Sequence, residues 1–526
     1  MNTQTVSKTT SRICLAILAI PLLLSTLVAQ TVGFPDSDFA ESGTLHLDID
    51  VDQDHPQLMA LQSSGKLLVA GQFESRSQLY RYTVEGRLDS TFGINGILQL
   101  PKRVDLRDLV VQKNNRILIA GLASGKGGAD FWVCRLTPNG KFDPEFGEAG
   151  IYQRHLGGED EAQRIGLLKD GRIMVAGHTH TYNWKQRNFA TMRLNSDGQP
   201  DTTFGVDGVQ FIDAGQYDFL RDLEVADDGH VILVGHTKRD QINQFVAVRL
   251  TPKGKRDLNF GNRGIRHIRL GIENSFCESV ALQPDGKIVL VGHAKFAHGQ
   301  PGFDMVVIRL DEAGNDDPFF GQLGRVVLDY GPFEYAHQVT LLRDGSMLVG
   351  GTSNRSICLS RLRPNGNLDR VFGENGHISI QPSPRSRNLL GTFLVQPNDK
   401  ILISGVIDKQ PQIRRFHGNP YLPGLYQVLN FRGEPTPLET AFAQVNLLPD
   451  LSFRAWVSES DARDLRRSGT QSCNPPGSHI RKHAHISLGD RLTYTIVWDS
   501  SDRALFYVNG LFKHEEMAEK LFWVKN

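Results

Sequence analysis

Three histidines carry the most chemically suggestive spacing in this chain of 526 residues. His178, His236 and His293 each follow a glycine, and each Gly-His pair closes a near copy of one short phrase. Imidazoles that converge from three neighbouring repeats could hold a transition metal. Residues suited to a ligand lie around them. His180, Tyr182 and Trp184 follow the first pair, Lys238 and Arg239 the second, and Phe296 and His298 the third. Glu159, Asp160 and Glu161 precede the first of these repeats, and Tyr217 and Asp218 precede the second. Aromatic and charged side chains clustered in this way suit stacking and hydrogen bonding to a sugar or a peptide. The plainer expectation is a strand-end turn, with each imidazole bonded to nearby backbone and no metal or other cofactor. No Gly-x-Ser-x-Gly, His-Glu-x-x-His or phosphate-binding glycine loop occurs, so no catalytic residue is assigned.

The phrase itself reads Gly-Lys-Ile-Leu-Val-Ala-Gly and recurs at a step of roughly fifty-odd residues, the mark of a repeat architecture. Its copies are Gly65 to Gly71, Asn115 to Gly121, Gly171 to Gly177, Gly229 to Gly235, Gly286 to Gly292, Gly345 to Gly351 and Asp399 to Gly405. Within one unit, Val280 to Leu328, four short apolar runs alternate with turn residues. Repeated four-strand units of this kind predict the blades of a β-propeller. The residue opening the phrase is Gly, Asn or Asp in every copy, as a tight hairpin turn with positive φ requires.

A second motif runs through the third strand and the loop after it. Arg135, Arg193 and Arg249 are each followed eight positions later by Asp143, Asp201 and Asp257, and three further on by Phe146, Phe204 and Phe260. The same spacing recurs in the other units. A residue present in every blade is expected to be part of the blade. The Asp should cap the loop or pair with the Arg, and the Phe should plug the gap between neighbouring blades. Leu136 to Gly150 (LTPNGKFDPEFGEAG) and Leu362 to Gly376 (LRPNGNLDRVFGENG), following the phrase, resemble the delta-60 repeat of bacterial extracellular β-propellers. The resemblance covers residues 34–418 and implies a fold and an export route, with no general activity.

The ends of the array complement each other. Asp36, Phe39 and Gly43 with Thr44 to Ile49 form half a unit, and the seventh unit has only its first three strands, Leu389 to Gln396, Lys400 to Ser404 and Gln412 to Phe416. Together they make one blade and close a ring, which removes the open sheet edge. The expected architecture is all-β: a seven-bladed propeller of four-stranded blades, followed by a small β-rich domain.

Lys plus Arg and Asp plus Glu number 58 each. That balance argues against a nucleic-acid binder, whose affinity would rest on a basic surface. Lys8 and Arg12 before the apolar run Ile13 to Ala29 match a secretory signal over residues 1–29, with cleavage near Ala29. The plainer alternative is an uncleaved membrane anchor, since the run is close to the shortest that spans a bilayer. No other segment is long and apolar enough to span a bilayer, so the mature chain is expected to be secreted or periplasmic and monomeric. Cys134, Cys277 and Cys358 lie in strand-like runs and read as buried thiols rather than a disulfide framework. Beyond Tyr421 the period is lost. Leu492 to Trp498 and Ala504 to Val508 read as a strand pair, and a helical tail fits Glu515 to Lys520. The run TYTIVWDSSDRALFYVNG is similar to a hairpin of concanavalin-like sandwiches over fewer than twenty residues. Residues 421–526 thus read as a small unassigned domain.

In a four-stranded blade the repeated motifs share one face, and the variable strand 2–3 loops occupy the other. Variable loops on a rigid frame are where binding usually sits. The leading expectation is a non-catalytic exported scaffold that binds a partner protein or glycan there. The alternative is a hydrolase or lyase with an axial pocket, with or without a metal.

Overall fold

The computed structural model describes residues 33–49 and 58–418, apart from 75, 126, 181–185, 272, 297–301, 332 and 371, together with seven strands between 424 and 525. The chain divides into two compact units, one of them Thr31–Asn419 and the other containing Pro420–Asn526.

The first unit is a seven-bladed β-propeller. Each blade is one sheet of four antiparallel strands, in sequence order in six of the seven. Blade 3 is representative, with Asp160–Leu167, Ile173–His180, Arg187–Leu194 and Val209–Ile212. Its second strand is buried throughout, as expected for a strand covered on both faces by neighbouring blades. The innermost strands of the seven blades are Leu58–Leu61, Val104–Val111, Asp160–Leu167, Asp218–Val225, Ser275–Leu282, Glu334–Leu341 and Leu389–Val395. The hairpin turn after each inner strand has the backbone its residue types imply: Gly171 and Gly229 lie at φ 88° and 87°, and Asn115 and Asp399 at 62° and 61°.

Ring closure uses both ends of the array. Thr44–His46 pairs with Gln410–Phe416 and completes the sheet of Leu389–Val395 and Ile401–Ile407. The seventh Arg-Asp-Phe set is assembled across that joint. Arg415 Nε donates to Asp36 Oδ2 at 2.6 Å, and its guanidinium lies 4.6 Å from the centre of the Phe39 ring.

The other sets follow the same plan within one blade. Arg193 Nε donates to Asp201 Oδ2 at 2.7 Å, Arg193 stacks over Phe204 at 4.7 Å, and Asp201 Oδ1 accepts the Thr203 amide at 3.0 Å. Arg193 also donates to the Pro252 carbonyl of the next blade. Arg135 with Asp143 and Phe146, and Arg249 with Asp257 and Phe260, repeat this arrangement. Gly198, at φ 83°, rests on the Phe146 ring from the preceding blade, where any side chain would collide with it. The motif therefore locks each blade internally and to its successor. Cys134, Cys277 and Cys358 are buried and unbridged.

The second unit contains a seven-stranded sheet, in the order 424–427, 443–447, 453–457, 520–525, 503–510, 492–498 and 482–487. Leu492–Trp498 and Arg503–Gly510 pair antiparallel. The expected helical tail is corrected at its end, since Lys520 opens the strand Lys520–Lys525. Residues 515–519 and the expected signal segment lie outside the described residues.

Candidate functional site

The glycine that closes the repeated phrase is explained by the strand beside it. Gly177 pairs with Ala162 of the inner strand, and a Cβ built on Gly177 would land on the Glu161 carbonyl oxygen. Gly235 meets the Phe219 carbonyl in the same way. The inner strand crowds this glycine because the register shifts immediately after it, between Ala162 and Arg164 and between Leu220 and Asp222. The same shift occurs between Leu106 and Asp108, Cys277 and Ser279, Ala336 and Gln338, and Leu390 and Phe393. Six described inner strands thus carry a β-bulge at one level. A bulge inserts an extra residue and re-aims its side chain.

At that level the inner strands line an axial cavity of about 440 Å³. Arg107 and His337 at the bulge, and Asp108, Arg164, Asp222, Ser279, Gln338 and Thr392 just after it, face this space. The lining continues through Gly166 to Leu167, Asp222 to Val225 and Val339 to Thr340, towards the strand 1–2 turns.

The residue after the bulge also stitches blade to blade. Asp108 Oδ2 accepts the Ile165 amide at 2.9 Å. Asp222 Oδ2 accepts the Val280 amide at 3.0 Å and the Ser279 hydroxyl at 2.7 Å. Ser279 Oγ in turn accepts from the Val339 amide at 3.3 Å, and Gln338 Oε1 accepts the Phe393 amide at 3.1 Å and the Thr392 hydroxyl at 2.7 Å. The channel arginines are paired, Arg107 with Asp105 at 2.8 Å and Arg164 with Asp222 at 3.3 Å, and beside the channel Arg221 pairs with Glu278 at 3.4 Å.

Titration here follows enclosure. Burial pushes the Glu224 carboxyl up to about 8, and the neighbouring Asp222 adds to this. Burial raises Asp108 to about 6 against the pull of Arg164, and raises Glu278. Burial, then the charges of Arg221 and Arg387, lowers His337 to about 4. At neutral pH Glu224 is therefore largely a hydrogen-bond donor, and His337 is neutral.

The residues singled out by sequence have other employment. His178, His236 and His293 lie inside strands rather than at turns. Their rings are interleaved with phenylalanines. Phe219 stacks on His236 at 4.9 Å with its edge towards His178 at 5.8 Å, and Phe276 lies 4.9 Å from His236 and 5.2 Å from His293. Tyr335 ends this arc 5.0 Å from His293. Burial lowers His178 to about 4 and His293 to about 3, and holds His236 well down. Neutral rings separated by phenylalanines do not converge on a metal. Among the described residues, the two groups whose ligating atoms come together are Asp130, His155 and Asp160, and Asp304, Asp329 and Glu334.

Asp160 and Asp218 are fully buried and tie the links that enter their blades. Asp160 accepts the Leu156 amide at 2.5 Å and Asp218 the Ala214 amide at 2.8 Å, while Thr179 and Thr237 donate to their other oxygens. Glu159 accepts the Ala129 amide at 2.9 Å. Glu161 lies 3.4 Å from His178, and Arg187 contacts the His180 ring and covers Phe219 at 4.1 Å. Tyr217 bridges to Arg187 through backbone. Tyr182, Trp184 and His298 lie outside the described residues.

The bulge ring was missed because its residues differ from blade to blade. Its signal is positional: in five blades a polar pair interrupts the apolar inner strand fourteen residues ahead of the closing glycine, as Arg107 precedes Gly121 and Arg221 precedes Gly235.

Residues 62–92, 112–146, 168–204, 283–320 and 342–372 match the model described as "Domain of unknown function (DUF5122) beta-propeller". These matches support a β-propeller family for the chain. No curated protein matches it. Among solved structures, a protein of unknown function from Bacteroides caccae is 13% identical, with 58% of this chain and 92% of that one covered and a TM-score of 0.33. The β-propeller domain of the Trilobed protease from Pyrococcus furiosus is 7% identical, with coverages of 69% and 94% and a TM-score of 0.39. Drosophila Semaphorin 1a, extracellular domains 1-2, is 9% identical, with coverages of 69% and 86% and a TM-score of 0.40.

Proposed function

We propose that this β-propeller protein is an exported, non-catalytic scaffold of the delta-60 repeat type, and that it binds a sugar-sized, hydroxyl-rich ligand in its axial channel. The observation that carries this reading is the bulge ring. The register shift recurs from blade to blade, while the side chains that line the cavity at this level are polar and different: Arg107, Arg164, Asp222, Ser279, His337 and Thr392. A scaffold alone has no use for that variety.

Size supports a small ligand. The cavity of about 440 Å³ falls in the range of small-molecule sites, roughly 300–1,000 Å³. Hydroxyls suit the lining because the principal charges are already paired with one another, leaving amide, hydroxyl, imidazole and protonated carboxyl groups to donate and accept. The variable-loop face is less well supplied, since Asp160, Asp218, Glu159 and the three histidines serve the frame. Export rests on the basic and apolar leader over residues 1–29.

The test is a thermal-shift screen of the mature protein against neutral and acidic mono- and disaccharides, repeated on Arg107→Ala and His337→Ala. A sugar that raises the midpoint of the parent and neither variant supports the proposal. A screen without a hit, or a hit insensitive to both substitutions, overturns it.

One observation favours a hydrolase as the second reading. Glu224 is pushed up to about 8 by burial, two residues from Asp222 on the same channel wall, and a carboxyl held protonated near neutral pH suits a general acid. Turnover of the bound sugar, abolished in Glu224→Gln, would select that reading.

A further inference from the structure

The seams between blades repeat a set of three positions. One opens the third strand, one follows the fourth strand, and one opens the next inner strand. At the seam of blades 2 and 3 these are Asp130, His155 and Asp160. At the seam of blades 5 and 6 they are Asp304, Asp329 and Glu334. The correspondence extends to backbone: Asp160 accepts the Leu156 amide, and Glu334 accepts the Tyr330 amide, four residues earlier in each case.

The two seams differ in charge. At the first, the imidazole of His155 stands between two carboxylates, its Nδ1 2.9 Å from Asp130 and 3.4 Å from Asp160. The ring there gives both acids a nitrogen partner. At the second, the middle position is Asp329, so a third carboxylate replaces the imidazole. Oxygens of all three acids lie within 4.8 Å of one another. Among the described residues, no lysine, arginine or histidine forms an ion pair with any of them. Glu334 is fully buried at the base of the cluster, and its Oε2 has no hydrogen-bond partner. Three carboxylates held this close repel one another when ionised, and a buried unpaired acceptor is costly.

We propose that Asp304, Asp329 and Glu334 bind a calcium ion that ties blade 5 to blade 6. The ligand set is oxygen only, which selects a hard cation over zinc or copper. Oxygens at 2.3–2.6 Å from one calcium ion are at most about 5 Å apart, the spread found here. The ion stands where His155 stands in the earlier seam. Asp304 comes from blade 5, Glu334 from blade 6 and Asp329 from the link between them.

The experiment uses the whole exported chain, freed of metal with EDTA and titrated with calcium chloride while thermal unfolding is followed. Calcium at about 1–10 mM is expected to raise the midpoint by about 2 °C or more. Asp329→Asn, at the exposed member, should retain the fold and weaken the calcium response at least tenfold. Asp329→His recreates the earlier seam, and should remove the calcium response while raising the midpoint in EDTA at pH 6. Terbium luminescence sensitised by the adjacent Tyr330 gives an independent reading of occupancy. A parent protein indifferent to calcium, a response preserved in Asp329→Asn, or a response to magnesium alone would overturn the assignment.

Discussion

Asp222 of blade 4 accepts the backbone amide of Val280 in blade 5 at 3.0 Å, and the same oxygen takes the Ser279 hydroxyl at 2.7 Å. A side chain that faces the channel therefore also joins two blades. Its removal orphans an amide and a hydroxyl at once. Asp222→Ala is expected to destabilise the propeller by about 2 kcal/mol, read as a lower urea midpoint. Asp222→Asn keeps an acceptor oxygen and should recover at least half of the loss. Equal midpoints for parent and alanine variant would remove Asp222 from the inter-blade frame.

Arg193 sits at the centre of the blade 3 lock, buried against Asp201, Phe204 and the Pro252 carbonyl. Burial works against the Asp201 carboxylate, yet hydrogen bonds from Thr203 and Arg172 and the Arg193 charge hold its pKa below the ordinary value. Arg193→Met leaves that buried charge with Arg172, at 2.9 Å, as its cationic partner and Thr203 as a neutral donor. The expected cost is about 3 kcal/mol. Arg193→Lys should restore less than half, because an ammonium lacks the planar fork that reaches aspartate and carbonyl together. Full rescue by lysine in denaturant melts would contradict this geometry.

Glu224 sets a pH dependence with a definite sign. Its folded pKa of about 8 stands above the ordinary glutamate value of 4.5. The folded state therefore binds more protons between those limits, and its contribution is full below pH 4.5 and lost as pH rises towards 8. The charges facing it in the channel are Asp222 on its own strand and Arg164 on the neighbouring one, with His337 neutral above pH 4. Parent protein should lose stability relative to Glu224→Gln as pH is raised from 5 to 8. Parallel stability profiles for the two proteins would refute the shift.

The ring was legible in sequence because each turn of it repeats a backbone requirement. Positive φ at Gly171 and Asn115, and the carbonyl crowding Gly177, restrict residue choice whatever the blade is for. Closure was legible as well, since Asp36 and Phe39 kept the spacing of a motif whose arginine, Arg415, lies at the far end of the array. The channel was not, because a bulge constrains the glycine across from it and leaves its own side chain free to vary. Arg107 and His337 share a position and no chemistry. The seam triads were hidden for another reason: Asp304, Asp329 and Glu334 belong to three elements, and sequence spacing does not report proximity across blades. The Gly-His pairs stood out for being alike, and likeness among neighbouring blades here reflects packing.

The histidine arc makes that last point testable. His178, His236 and His293 are kept neutral by burial among Phe219, Phe276 and Tyr335, with Glu161 beside His178 and Arg187 and Arg221 contributing positive charge nearby. Depressed histidine pKa values mean that the unfolded chain takes up protons first as pH falls below 6.5. The stability they protect is present above that pH and is lost as pH drops towards 4 and below. Acidification from pH 7 to 4.5 should therefore lower the unfolding midpoint, and His236→Phe, a ring of similar shape between Phe219 and Phe276, should flatten the fall without weakening the protein at pH 7. A metal-binding role predicts the opposite pattern: His236→Phe would abolish a stabilising response to zinc or nickel and cost stability at neutral pH. Melts of both proteins across this range, with and without added metal, separate a packed aromatic arc from a coordination site.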